Sequence, residues 1–312
     1  MKVDQTRVCP LCKRSASLWI SKDADEVVEG FEHYFGAKFP AEVDPTGFRM
    51  FRCKSCTLDF TGEDNRNAAP FYDWITQFSQ YYPNDRWEWS EVLKILAGHP
   101  ANMRDVLDFG CGSGAFLRRA REAFPGSNMA GVDLNQSSIE EVVNQGFEAI
   151  CGTPATAAEG LNARFHFVTA FHCLEHVPDP LAMIRDLRSL LRDQRGSVIV
   201  SVPLSPLSIE AVYFDPLNHP PHHLTRWSVR AIDELGTRAG ASYVGTSWSP
   251  YPGLTRSVMR SLALRRGGPT SSTSVRDLLE LPIASRALVR SILRRYRSGP
   301  VGDILLAEMR FS

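Results

Sequence analysis

Neither sign of charge is in excess in this 312-residue chain. Thirty-five Lys and Arg stand against 35 Asp and Glu, for a formal net charge of zero. The basic footprint that nucleic-acid binding leaves is missing, so no nucleic-acid partner is expected. No apolar run approaches the roughly 18 residues that mark a membrane-crossing helix, so no transmembrane segment is expected. The opening residues, MKVDQTRVCPLC, lack the apolar core of a signal peptide. A cytoplasmic setting is expected, where thiols stay reduced and paired cysteines more often bind metal or do chemistry. With 43% hydrophobic residues, one large domain, or one domain plus a small appendage, can form a core without covalent staples.

Cysteine is scarce but not scattered. Four of the seven fall in two pairs, Cys9/Cys12 in CPLCK and Cys53/Cys56 in CKSCT, with 40 residues between the pairs. Each CxxC knuckle can present two thiolates to one tetrahedral zinc, and four thiolates close the coordination sphere, which makes the site structural. Redox thiols are the alternative, weakened by the matched pairs and by the absence of a thioredoxin-like context. The intervening segment, 15–52, is aromatic and of mixed charge, and is expected to form strands of its own.

Residues 61–100 read as a bridge. A polar stretch, TGEDNRNAAP, precedes the aromatic FYDWITQFSQYYPNDRWEWSEVLKIL, which turns helical towards its end at Trp89, Val92, Leu93 and Leu96. Tyr81 and Tyr82 precede Pro83 and sit at a turn. These aromatics either join the cysteine module to the next domain or form a lid over a substrate pocket with a tyrosine reaching in.

The glycines concentrate in RDVLDFGCGSGAF. Val106 and Leu107 lead to Asp108, then Gly110, Cys111, Gly112 and Gly114, and a helix opens at Ala115. Strand, tight turn, helix is the pattern by which backbone approaches an anionic or carboxylate ligand closely. The spacing fits both the dinucleotide fingerprint GxGxxG/A and a DxGxGxG loop. A second short strand, MAGVD, ends at Asp133, placed where a carboxylate accepts both hydroxyls of a ribose; Leu134 comes next, placed to pack on an adenine face. Helix SSIEEVVNQ, strand GFEAICG, strand FHFVTAFHCLEHVPDP, helix PLAMIRDLRSLLRDQ and strand GSVIVSVP continue an α/β alternation, with Leu181, Ile184, Leu187, Leu190 and Leu191 on one helix face. That is the alternation of a doubly wound sheet, whose ligands collect at the strand C-terminal ends.

VLDFGCGSG, GVDLN and FHCLEHVPDP together resemble class I S-adenosylmethionine (SAM)-dependent methyltransferases, over roughly residues 85–250. The resemblance implies an α/β fold: a seven-stranded, doubly wound, Rossmann-like sheet with its last strand antiparallel, ASYVGTSWS being strand six and GDILLAEMRF strand seven. It further implies that Gly110, Cys111, Gly112 and Gly114 line the methionine part of SAM, that Asp133 holds the ribose, that Phe171 and His172 lie beside the cofactor, and that Asp108 orients the loop and the amino group. With the cysteine module and the Tyr-Tyr pair, the chain is similar to sugar C-methyltransferases acting on nucleotide-linked deoxyketosugars. Their Glu-His-Leu motif after strand five corresponds to PPHHLTRWS, where His223 matches the catalytic histidine and His222 stands in place of the glutamate.

Methyl transfer needs alignment of the nucleophile and, where required, removal of its proton, a task suited to histidine. Two places offer one: His172/His176 after strand four and His219/His222/His223 after strand five. Glu175-His176 can equally close a strand-to-helix turn. Three histidines and two prolines make poor core material, so His222 and His223 are expected to face substrate; two of these histidines with Asp215 are an alternative metal set. Arg286, Arg290 and Arg294 form a stripe that is either solvated or meets phosphates or an anionic surface. The expected organisation is a small zinc-ribbon-like module over 1–62, an aromatic linker or lid over 63–100, and the methyltransferase domain over 101–312. The expected cofactors are SAM and a structural Zn2+, and the acceptor a small molecule or a sugar-linked compound. O-methylation of a secondary metabolite, a non-catalytic SAM-binding adaptor and a dinucleotide-dependent oxidoreductase are the alternatives.

Overall fold

The computed structural model describes residues 5–43, 46–61, 68–78, 85–161, 165–192, 196–207, 210, 214–249 and 302–312. Tyr81, Tyr82 and the stripe Arg286, Arg290 and Arg294 lie outside them.

Two sheets organise the chain. The larger has seven strands: β5 (Val106–Phe109), β6 (Met129–Asp133), β7 (Glu148–Cys151), β8 (Phe167–Phe171), β9 (Ser197–Pro203), β11 (Ala241–Trp248) and β12 (Ile304–Phe311). Their spatial order is β11-β12-β9-β8-β5-β6-β7. The five strands from β7 to β9 pair parallel, and β12 runs antiparallel to both β9 and β11. This is the expected Rossmann-like sheet with its seventh strand reversed. β5, β8 and β9 are buried almost throughout, as strands covered on both faces must be, which is why they read as unbroken apolar runs rather than alternations. The winding direction reverses at β5, whose neighbours are β6 on one side and β8 on the other. The crevice outside such a switch point is where ligands bind in open α/β sheets.

The smaller sheet is antiparallel, in the order β1 (Thr6–Val8), β2 (Ser15–Lys22), β3 (Phe48–Cys53), β4 (Asp59–Thr61) and β10 (Thr225–Arg226). Segment 15–52 does form strands, but also a helix, α1 (Ala24–Phe35). Asp23 and Glu26 make a reciprocal capping box at its start, Gly36 ends it in the left-handed region, and Val27, Phe31 and Phe35 are its buried face. The aromatic bridge is helical at both ends, as α2 (Ala68–Ile75) and α3 (Trp87–Ala97). Phe71, Trp74 and Ile75 of α2 pack with Phe31 and Phe35 of α1. Trp89, Val92 and Leu96 of α3 pack instead with Phe116, Val106 and Phe167 of the large-sheet unit.

The two units share one core. Leu11, Phe51, Leu58 and Phe60 belong to the same apolar cluster as Leu174, Trp227, Ile232 and Leu235. β10, a late segment, supplies the smaller sheet's fifth strand through Thr225↔Phe60 and Arg226↔Asp59. Contacts cross both expected boundaries, 62 and 100: β10 pairs with β4 of the smaller sheet, and α3 packs on the large-sheet unit. No helix among the described residues is long and apolar enough to cross a membrane.

Candidate active site and cysteine centre

The glycine loop lies at the switch point. Gly110, Gly112 and Gly114 all take positive φ, +74°, +50° and +77°. A Cβ at Gly110 would run into Cys173 Sγ, whereas at Gly112 it would meet nothing within 4 Å. One glycine is required by packing, and the other leaves backbone exposed to a ligand. Gly110 and Cys111 N–H donate to Val132 O at 2.7 and 3.1 Å, tying the loop to β6. α4 (Ala115–Ala123) then starts from Gly114 with no side-chain cap.

Two carboxylates bracket this loop. Asp108 is buried and accepts from Thr169 Oγ1 at 2.7 Å. Burial, with the nearby Asp133 charge adding to it, pushes its carboxyl up to about 7. Asp133 ends β6, accepting from Gly112 N at 2.8 Å through Oδ2 and from Asn135 N at 2.9 Å through Oδ1. Leu134 beside it is 71% exposed, an apolar side chain turned outward at the sheet edge. Phe171 ends β8, buried edge-on against Phe116 at 4.8 Å. Cys111 is buried, and burial holds its thiol well above the ordinary range.

His172 has φ +53°, rare for a non-glycine residue and worth a physical reason. Its ring bridges two buried acids, Nε2 to Glu88 Oε1 at 2.8 Å and Nδ1 to Glu175 Oε1 at 3.2 Å. Burial opposes charge on His172, but its hydrogen bonds to Glu175 and Glu88 outweigh it and its pKa is raised.

The remaining histidines divide in two. His219 is buried, receives a hydrogen bond from Arg226 Nη1 at Nε2 (2.7 Å) and donates from Nδ1 to Asp215 O (2.8 Å); burial first, then Arg226, depresses it to about 3. It is a neutral strut for the buried Arg226, which also binds Ser205 Oγ and Glu210. His222 and His223 meet His176, from the 3-10 turn Leu174–His176, in a cluster whose ring nitrogens lie within 4.8 Å of one another. Asp215 does not join them: its Oδ1 accepts from Leu217 N at 3.0 Å, closing a turn. The sequence pointed to two histidines with Asp215, and His176 takes the acid's place. His222 and His223 are 5% and 7% exposed, so they are core residues at the site's wall rather than an open face.

Tyr72 and Glu88 were not singled out in the sequence. Tyr72 Oη lies 2.7 Å from His176 Nδ1 and donates to His222 O at 3.0 Å, which makes it the described tyrosine of the aromatic bridge that reaches the histidines. A tyrosine amid phenylalanine and tryptophan on a buried helix face is the available signal, since buried Tyr hydroxyls find partners.

The four paired cysteines form a second centre. Cys9 and Cys12 lie just after β1; Cys53 ends β3, with Cys56 in the turn beyond it. Lys13 and Thr57, four residues after the first cysteine of each pair, both have positive φ, 60° and 63°, so the knuckles are alike. Sγ of Cys9 and Cys56 are 3.6 Å apart, those of Cys12 and Cys53 3.4 Å, and all four lie within 4.8 Å. Sulfurs at ~2.3 Å around a tetrahedral zinc stand roughly 3.8 Å apart, so the set fits zinc. The Cys9 thiol is drawn down to about 5, chiefly by its hydrogen bond with Cys56, whose own thiol that contact pushes up. Thiols competing in this way over where negative charge sits are suited to a shared dication.

A methyltransferase-domain family model matches residues 79–245. The chain belongs to that family. This methyltransferase is 33% identical over 113 residues to a ubiquinone biosynthesis O-methyltransferase of Ralstonia nicotianae, covering 34% of this chain and 44% of that protein. It is 31% identical over 124 residues to a protein of the same name from Pseudomonas aeruginosa, covering 37% and 49%. The methyltransferase spans about half the length of the curated relatives it matches. Its fold is similar to that of a SAM-dependent methyltransferase from Archaeoglobus fulgidus, at a TM-score of 0.51 and 17% identity over 77% of this chain and 99% of that one. The chain therefore carries a methyltransferase domain on a Rossmann-like fold, and the dinucleotide reading of the glycine loop gives way.

Proposed function

We propose that this methyltransferase acts on a small molecule or an activated sugar, bound between the glycine loop and the histidine cluster. SAM, when bound, supplies the electrophilic methyl group. Gly110, Cys111, Gly112 and Gly114 hold its methionine end, Asp133 its ribose, Leu134 its adenine, and Phe171 and His172 flank it. Asp108 draws the amino group. The observation that carries the reading is the pairing of an open backbone at Gly112 with Asp133 one hydrogen bond away, at the switch point of the sheet.

On the acceptor side His176, His222 and His223 handle the proton that leaves when the methyl arrives, with His223 as the residue the sugar-enzyme motif marks. The acceptor atom is taken to be oxygen: the curated relatives are O-methyltransferases by name. Methylation at carbon of a ketosugar is the second reading, supported by the PPHHLTRWS segment. The four cysteines hold a structural zinc that keeps the smaller sheet, and through β10 the histidine loop, in place. The setting is cytoplasmic.

A screen of labelled-methyl transfer from SAM across nucleotide sugars, glycans, and small phenols or acids tests this. One acceptor class is expected to take label, and His223→Ala is expected to lower kcat by about 100-fold with S-adenosylhomocysteine affinity unchanged. Unaltered turnover in His223→Ala would remove the histidine loop from the chemistry; absence of transfer to every acceptor would favour a SAM-binding adaptor.

A further inference from the structure

Three imidazoles from two separated segments converge at the edge of the large sheet. His176 ends a 3-10 turn after β8, and His222 and His223 lie in the loop before β10. Leu224 N donates to Glu175 O at 2.8 Å and Thr61 N to Leu224 O at 2.9 Å, so the loop is fastened to the turn that carries His176 and to the smaller sheet. The centroids of the three rings are 4.4–4.9 Å apart.

Each ring has its Nδ1 turned to an oxygen. His222 Nδ1 donates to Leu217 O at 2.7 Å, His176 Nδ1 to His222 O at 2.8 Å, and His223 Nδ1 lies 3.2 Å from Asn218 Oδ1. A carbonyl oxygen only accepts, so Nδ1 carries the hydrogen and the lone pair falls on Nε2. This outer arrangement, with the far nitrogen of each ring held by an oxygen, is what orients histidines that ligate a metal. Burial first, and for His222 and His223 then the neighbouring imidazoles, keeps the rings in the neutral form that can ligate.

Charge is also provided for. Glu175 is fully buried, with Oε1 4.0 Å from His223 Nε2 and Oε2 without a hydrogen-bond partner among the described residues. Glu175 Oε1 also meets His172 Nδ1 at 3.2 Å, so the carboxylate is shared between His172 and the histidine cluster, and its buried, unpartnered Oε2 is costly unless a further positive charge joins it.

We propose that His176, His222 and His223 form a second metal site, separate from the four cysteines, that takes a borderline divalent cation of the zinc class, with Glu175 as its neighbouring counter-charge. Nitrogen ligands select zinc, copper, iron or nickel over magnesium or calcium. Three protein nitrogens leave a position open, as catalytic rather than structural zinc sites do. An oxygen of the acceptor suits that position, a consequence that rests on the acceptor reading above; the cation site itself does not. With a cation there, the three histidines would be its ligands, a role that would replace the proton transfer assigned to them above, and the cation would lower the pKa of a bound acceptor hydroxyl so that its proton is lost to solvent before the methyl arrives.

The test is cobalt loading of the full chain, wild type, His176→Ala and His223→Gln, read by metal content and absorption. Wild type is expected to bind one cobalt that lacks thiolate-to-metal charge transfer, in addition to the one at the cysteines that shows it. Each variant is expected to lose the former alone while still binding S-adenosylhomocysteine, which reports its fold. Wild type saturating at the thiolate site alone would overturn the proposal, and so would variants holding as much cobalt as wild type. Should a variant not fold, the wild-type count and spectrum decide by themselves. Methyl transfer is not read, so failure here leaves the acceptor reading standing.

Discussion

Asp108 and Asp133 sit 25 positions apart in sequence and on either side of one loop, yet their surroundings differ. Asp108 has a single hydroxyl partner and full burial; Asp133 has two backbone N–H donors. The raised value of Asp108 has a signed consequence. Unfolded, an aspartate titrates near pH ~3.9; folded, Asp108 titrates at about 7. Between these the native state binds the extra proton, so stability falls as pH rises through that window, by up to about 4 kcal/mol at roughly 1.36 kcal/mol per unit. Asp108→Asn cannot ionise, and urea unfolding should find it no more stable than wild type at pH 4 and more stable at pH 8. A constant difference across that range would contradict the burial argument. Asp133→Ala removes the proposed ribose acceptor and should weaken S-adenosylhomocysteine binding by about 10- to 100-fold, the loss of one or two charge-assisted hydrogen bonds. Both residues were legible in the sequence, because an acid at a strand's C-terminal end beside glycines serves few purposes besides holding a ligand or its loop. Tyr72 and Glu88 were not, because their histidine partners lie more than 80 residues away and only the fold brings them together.

At the scale of elements, periodicity and caps identified most of the large sheet. β5 to β9, β11 and β12 appear where short apolar runs stand between helical stretches. The errors have local causes. α1 carried a start signal, Asp23 with Glu26, and an apolar stripe at Val27, Phe31 and Phe35, but the surrounding aromatics favoured strands. α2 was hidden because its apolar face is so broad that a 3.6-residue period does not stand out. β10 is two residues long, and nothing in Thr225-Arg226 announces a partner at Asp59-Phe60. Asp23→Ala, which breaks the capping box of α1, should cost about 1 kcal/mol in thermal or urea unfolding and leave S-adenosylhomocysteine affinity as it was; a loss of ligand affinity would mean that α1 acts on the glycine loop through a route absent from these contacts.

The whole molecule is built so that its two centres depend on each other. The cysteine knuckles brace β1 to β4, β4 pairs with β10, and β10 directly succeeds the histidine loop. Arg238 Nη2 donates to Cys12 O at 3.3 Å, and the Thr57 and Ser228 hydroxyls meet at 2.6 Å, so the helix Val229–Ala239 and its cap touch both knuckles. The shared core predicts one unfolding transition by calorimetry; two well-separated transitions would show that the smaller sheet is an independent body. If the cysteines hold zinc, as proposed, chelating it should abolish methyl transfer while the large sheet still binds S-adenosylhomocysteine, because the hydrogen bonds of the glycine loop run to β6, Arg118 and Gln145, all within the large-sheet unit. The two clusters were unequally visible in sequence: the glycine loop and its acids are contiguous or nearly so, whereas the histidine cluster with Tyr72 is assembled from α2, the turn after β8 and the loop before β10.

The central claim is that the loop 110–114 with Asp133 holds SAM. Calorimetric titration of S-adenosylhomocysteine and of NAD into wild type and Asp133→Ala tests it most directly. One equivalent of S-adenosylhomocysteine should bind to wild type, at least tenfold more weakly to Asp133→Ala, and NAD should not bind; equal affinity in the two proteins, or binding of NAD alone, would contradict the account.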